Sequence, residues 1–172
     1  MFARAFAVLV AFAAAVSATT VTLTNNCGYE VDPGFYPTAT ASDGSSTGGF
    51  AIAAGSSSSV SLDSAWSAGG RIWGRTGCDA SGTCQTGSCT GGENCTAPAG
   101  SGVTLAQFTI NAWNNLDFFN PSTTDGFNVA VTITPGTGCT TGPQACTASD
   151  EGDGCGMTSS CPTGTDYTIA FC

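Results

Sequence analysis

The sequence predicts an all-β fold, an antiparallel β-sandwich tied by disulfides. Short segments place apolar residues at every second position, and turn residues separate them. Ten cysteines lie among 24 glycines in a chain with only 9% charged residues. No stretch keeps the apolar period of a long helix.

Taken in order, the first 18 residues read as a secretory leader. Arg4 supplies the positive charge, AFAVLVAFAAAV at 5–16 is an apolar run too short to span a bilayer, and Val16-Ser17-Ala18 offers a small-residue cleavage site. Residues 19–172 then form one domain by length. Alternation marks strands at 21–24 (VTLT), 58–62 (SSVSL), 71–73 (RIW), 129–133 (VAVTI) and 167–171 (YTIAF). Turns are expected at Asp32-Pro33-Gly34, Asp43-Gly44, Gly69-Gly70 and Thr134-Pro135-Gly136.

Charge narrows the function classes. The chain has three arginines, no lysine and no histidine against twelve acids, a net charge of −9. Once Arg4 leaves with the leader, only Arg71 and Arg75 remain, so neither nucleic acid nor an anionic membrane is an expected partner. The missing histidine excludes a Ser-His-Asp triad, a Cys-His pair and histidine-bound catalytic metal. All ten cysteines follow the leader, and no C-x-x-C pair occurs. Five disulfides in a secreted, extracellular protein are therefore expected, with no metal and no cofactor. The acidic run at 150–153 lacks calcium-loop spacing and reads as a solvated turn.

The densest stretch is 70–95, GRIWGRTGCDASGTCQTGSCTGGENC. Trp73, Arg75, Thr76, Cys78, Cys84, Thr86, Gly87, Cys89, Gly91, Gly92 and Cys95 fall in the order found in thaumatin-like proteins, with Ser88 in place of an aspartate. A second block, 103–133, resembles the same family through Thr104, Leu105, Ala106, Phe108, Asn114, Asn115, Leu116, Asp117, Phe118, Phe119 and Asp125 to Val129. Asn25, Asn26 and Cys27 match near the start; Cys161, Pro162, Tyr167, Phe171 and Cys172 match at the end. The chain thus resembles a small, ten-cysteine thaumatin-like protein. The fold that this implies is the family's β-sandwich domain I, with a short bridged loop region in place of domain II. The pairing implied is Cys27–Cys172, Cys78–Cys84, Cys89–Cys95, Cys139–Cys161 and Cys146–Cys155.

The resemblance also implies a cleft that binds β-1,3-glucan and, in some members, hydrolyses it as an endo-β-1,3-glucanase. The cleft positions carried over are Arg75, Gln107, Asn120 and Asp125. Two of them are amides where the family has acids. An amide suits sugar hydroxyls because it both donates and accepts hydrogen bonds, but it does not transfer protons. Asp125 and Asp117 remain as carboxylates that could serve catalysis, although Asp117 also reads as a carboxylate bonded to backbone. Arg75 reads equally as a structural partner of Asp125. Tyr36, Trp66, Trp113, Phe118 and Phe119 are aromatics available for stacking on sugar, at least one phenylalanine of the pair being expected in the core. The expectation is a monomeric, secreted β-1,3-glucan-binding protein, antifungal or cell-wall related. A glucanase and a defence protein inhibiting another enzyme are the alternatives.

Overall fold

The computed structural model describes residues 18–149 and 155–172. Residues 1–17 of the expected leader and the acidic turn at 150–153 lie outside the described residues. The described residues form eleven strands: β1 (Thr19–Asn25), β2 (Val31–Ala41), β3 (Ser46–Gly49), β4 (Ser57–Leu62), β5 (Gly70–Thr76), β6 (Leu105–Thr109), β7 (Leu116–Ser122), β8 (Val131–Pro135), β9 (Gln144–Cys146), β10 (Ser159–Pro162) and β11 (Tyr167–Phe171). Two short 3₁₀ turns, Ser64–Ala68 and Trp113–Asn115, are the only helical pieces among the described residues. The strands join in the order β10-β7-β6-β5-β2-β4-β1-β11-β8-β9, with β3 beside β2. Pairing is antiparallel except between β1 and β11, which run parallel.

This continuous sheet curls into two layers because β2 belongs to both. Val31 to Tyr36 pair with β5, whereas Thr40 and Ala41 pair with β4. Between these ends the register against β3 slips, and Tyr36-Pro37 lies in the slip. Asp32-Pro33-Gly34 is therefore not the turn that its composition suggests; it is extended strand, with Pro33 opposite Gly74 and Gly34 opposite Trp73. A proline fits extended backbone where its missing N–H is not needed. Gly34 is required by close packing: a Cβ there would collide with the Trp73 ring. The expected strand at 129–133 begins two residues later, at Val131, though Val129 is still buried.

Alternation supplies the core between the layers. Val21, Leu23, Val131, Ile133, Ile169 and Phe171 from one layer meet Phe35, Ile72, Ala106, Phe108 and Phe119 from the other. At the centre Tyr167 sets its ring edge-on to Phe108 and to Phe119, each 5.2 Å away. Each such edge contact adds about 0.5–1.5 kcal/mol beyond area burial. A smaller cluster of Trp73, Leu105, Val103 and Cys95 lies on the outer face of β5 and β6. It forms because residues 73 and 105 point away from the main core and need a cover. The disulfide loop following β5 provides it.

The cysteines pair as Cys27–Cys172, Cys78–Cys84, Cys89–Cys95, Cys139–Cys161 and Cys146–Cys155, leaving none free. Cys78–Cys84 and Cys89–Cys95 brace the loop over Trp73. Cys27–Cys172 ties the loop after β1 to the end of its parallel neighbour β11.

Candidate functional site

The outer face of β5, β6 and β7 holds the candidate site, and strand register builds it. Tyr36 lies opposite Arg71, Arg71 opposite Gln107, and Gln107 opposite Asn120. These four residues form a row crossing β2, β5, β6 and β7. The neighbouring row, Gly34, Trp73, Leu105 and Ser122, is buried, with Trp73 and Leu105 sealed beneath the disulfide loop. The polar row stays open. It lines a groove of about 370 Å³, with Gly69, Gly70 and Pro98 among the other walls. Gly70 is small of necessity, because a Cβ there would strike the Trp66 ring packed behind it.

Gln107 and Asn120 come together across β6 and β7. Asn120 Nδ2 donates to Gln107 Oε1 at 3.0 Å. That bond leaves the Gln107 Nε2 donors and the Asn120 Oδ1 acceptor without protein partners among the described residues. Alternate donors and acceptors along a groove match neighbouring sugar hydroxyls.

The groove arginine is Arg71, not Arg75. Arg75 is fully buried, 0% exposed. Its Nε donates to the carbonyl of Asp32 at 2.9 Å, Nη1 to Gly92 at 2.8 Å, and Nη2 to Glu93 at 2.9 Å and Pro33 at 3.4 Å. Burial pushes the guanidinium pKa down from its ordinary value, while Asp32 and Glu93 pull it up. Arg75 is thus a clamp that fastens the disulfide loop to β2. Residues 71 and 75 share one face of β5, so parity alone does not separate them. The loop folding over residue 75 does. Asp125 accordingly pairs with Arg71, Nη1 to Oδ2 at 3.2 Å, and not with Arg75. This is the one ion pair among the described residues.

Asp117 lies on the other face of β7 from Asn120, with Phe119, as odd-numbered residues of that strand must. It is fully buried and accepts from the Asn111 N–H at 2.8 Å and from the hydroxyls of Thr163 at 3.1 Å and Thr19 at 3.4 Å. Burial pushes its carboxyl pKa up, against the pull of these bonds. The Tyr167 hydroxyl, buried nearby, is itself pushed up by burial and by its interaction with the Asp117 carboxylate. Asp117 therefore holds the interior together and does not face the groove. No carboxylate is among the groove-lining residues; Asp125 reaches the site only through Arg71.

The aromatics divide in the same way. Trp66 and Phe119 are core residues, and Trp66 Nε1 donates to the Thr38 carbonyl. Tyr36 is 42% exposed at the groove, Trp113 is 74% exposed between β6 and β7, and Phe118 is half-buried on the same face of β7 as Asn120. Sequence reasoning missed Arg71 as a site residue. The only signal for it was its position two residues before a tryptophan that needed covering.

A strand-rich sandwich with five disulfides and a polar groove on one outer face defines a class of small, oxidised β-proteins. The chain belongs to the thaumatin family, whose model matches residues 25–166. It is 40% identical to the thaumatin-like protein PWIR2 of Triticum aestivum over 77% of this chain and 73% of that protein. It is 36% identical to thaumatin-like pathogenesis-related protein 3 of Avena sativa over 97% of this chain and 95% of that one. Among solved structures it resembles the thaumatin-like xylanase inhibitor, with a TM-score of 0.62 and 26% identity over 88% of this chain and 98% of that one. Such relatives and the disulfide content are compatible with secretion and a defence role.

Proposed function

We propose that this protein binds β-1,3-glucan without cleaving it. The supporting observation is the row Tyr36, Arg71, Gln107 and Asn120, which gives an open groove one aromatic face, one guanidinium and two amides, and no acid–base pair. A neutral polysaccharide presents hydroxyls to such amides and C–H faces to the tyrosine. Glycoside hydrolysis needs two carboxyls ~5–5.5 Å or ~6.5–9.5 Å apart, depending on stereochemistry. The experiment is co-sedimentation of the mature protein with insoluble β-1,3-glucan, beside a reducing-sugar assay on a linear β-1,3-glucan. Retention without sugar release is expected. Rapid sugar release, or no retention on any β-1,3-glucan, overturns the proposal.

A second reading is inhibition of a polysaccharide hydrolase. It rests on the likeness to a xylanase inhibitor that covers nearly all of that chain. Titration of the protein against a panel of xylanases and glucanases separates this reading from the first.

A further inference from the structure

Asn94-Cys95-Thr96 is an Asn-x-Thr triplet, the acceptor pattern for an N-linked glycan. The sequence holds no second one, because Asn120-Pro121-Ser122 carries a blocking proline. Asn94 takes no part in the groove. It borders a separate hollow of about 390 Å³ between β3, β4 and the disulfide loop, where Ser46, Thr47, Ser58 and Ser59 are among the walls. Asn94 is exposed, and its Oδ1 accepts from the Gly48 N–H at 3.2 Å. A main-chain N–H needs an oxygen opposite it, so the amide nitrogen is the end left over. Nδ2 has no protein partner among the described residues. Gly48 permits this approach, since a Cβ there would strike the Cys95 backbone.

We propose that Asn94 is an N-glycosylation site whose modification is decided before the Cys89–Cys95 bridge closes. The donor is an oligosaccharide carried on a lipid diphosphate. A bond forms between Asn94 Nδ2 and C1 of the first sugar. The bond from C1 to the diphosphate oxygen breaks, the lipid diphosphate leaves, and one Nδ2 proton passes to base. Nothing is oxidised or reduced. The transferase must engage the asparagine amide and the threonine hydroxyl together, and the finished fold withholds them. The Thr96 N–H and hydroxyl both go to the Thr90 carbonyl, at 2.8 Å and 3.1 Å. Cys95 is 1% exposed and bonded to Cys89, and Asn94 is tied to β3. Bridge closure and sugar transfer therefore compete for the same three residues. Bridge formation takes seconds or longer, so transfer onto the open chain has time to come first. The product, unlike the reaction, suits the fold: a sugar on the exposed Nδ2 enters solvent without displacing a protein contact. It would also cover β3, which pairs only with β2 and leaves its other edge open. Five disulfides are compatible with folding in the oxidising compartment where such transfer occurs.

The test expresses the mature chain in a eukaryotic host behind that host's own secretion leader. Enzymatic removal of N-glycans in heavy-oxygen water leaves an isotope-labelled aspartate wherever a glycan stood, and peptide mass locates it. Label at position 94 and none at position 120 is expected. Thr96→Ala keeps Asn94 and the bridge and should abolish the label. Reductant present during a short synthesis pulse should lower the unmodified fraction several-fold, and Cys89→Ser should do so without reductant. Chains are scored inside the cell directly after the pulse, so a variant that fails to fold still reports. No label at Asn94 with or without reductant overturns the site. An unmodified fraction that ignores both reductant and Cys89→Ser overturns the timing. Glucan retention is independent of these outcomes, because Asn94 is not among the residues lining the groove.

Discussion

Arg71 and Asp125 form a partly exposed ion pair at 3.2 Å, their side chains 35% and 43% exposed, at the edge of the polar groove. Such a pair contributes only about 0.2–1 kcal/mol to stability. Its use lies in orientation: Asp125 holds a guanidinium beside the two amides. Asp125→Ala should leave the melting temperature nearly unchanged while weakening glucan binding. Arg71→Ala should weaken it further, by about 1–3 kcal/mol if the guanidinium hydrogen-bonds sugar. Affinity electrophoresis in glucan-containing gels measures both. Unchanged mobility shifts would assign the pair to the surface and nothing else.

Arg75 should behave in the opposite way. Its removal takes the guanidinium donors from the buried carbonyl of Asp32 and the partly buried carbonyls of Gly92 and Glu93. Each lost partner costs about 1–3 kcal/mol. Arg75→Ala should unfold the disulfide loop or the whole domain, and Arg75→Lys should rescue little, since an ammonium does not reproduce the planar fork. Urea denaturation reads this directly. A folded Arg75→Ala protein with near-normal stability would contradict the clamp.

Restoring acids at both amide positions, Gln107→Glu with Asn120→Asp, tests the site chemistry. The resemblance alone suggests that hydrolysis should return. The structure argues otherwise, because the two amides are in direct contact at 3.0 Å, closer than the ~5 Å of a working glycosidase pair. Two carboxyls so close share a proton, and one titrates well above its usual range. No gain in reducing-sugar release is expected, and glucan binding should become pH-dependent. Hydrolysis by the double variant would show that the side chains move apart enough to serve as a pair.

Stability should peak in mild acid. Burial raises the carboxyls of Asp117 and Asp32 in the folded state. A raised carboxyl favours the folded protonated form, so its stabilising effect is full below the ordinary value of ~3.9 and is lost as pH rises through the higher folded value. Asp43 and Asp79 lie the other way: hydrogen bonds from Ser45 and from Ser81 lower them. Their contribution is present above that ordinary value and is lost as pH falls through the lower folded one. Melting temperature should therefore fall on both sides of about pH 4. Asp117→Asn should flatten the upper limb. A monotonic rise in stability from pH 4 to 7 would contradict the assignment.

Disulfides should rank by the chain that they close. Cys27 and Cys172 are 145 residues apart, Cys78 and Cys84 only 6. Chain entropy assigns about 5 kcal/mol to the first bridge and about 2.4 kcal/mol to the second. Paired alanine replacements, measured by denaturant unfolding, should keep that order. Full reduction should lower the melting temperature by tens of degrees or abolish refolding.

Much of the fold was legible because alternation and bridge spacing are local signals. Val21, Leu23, Ile169 and Phe171 declare their strands, and 70–95 declares its loop. β2 was hidden: Asp32, Pro33 and Gly34 have turn composition, and only the Trp73 ring lying over Gly34 explains an extended path. The site was half legible. Gln107 and Asn120, both assigned to the cleft from the resemblance, lie in contact, whereas the choice between Arg71 and Arg75 depended on which of two same-face residues the loop covers. Asp117 misled because a carboxylate next to phenylalanines can point either way, and parity with Phe119 sends it inward.

The parallel pairing of β1 with β11 has a consequence for biosynthesis. β1 is made first, and one of its edges can pair at once with β4, the strand next to it on that side. Its other edge must wait for Tyr167–Phe171, the last of the eleven described strands in chain order. Until then Val21 and Leu23 lack their neighbours Tyr167 and Ile169 in the same layer, and an open strand edge is available to any other nascent chain. Closure of this edge thus awaits synthesis of β11, and the Cys27–Cys172 bridge can form only after it. Chaperone occupancy and crowding during synthesis, more than the equilibrium strength of the finished fold, should set how much protein is recovered.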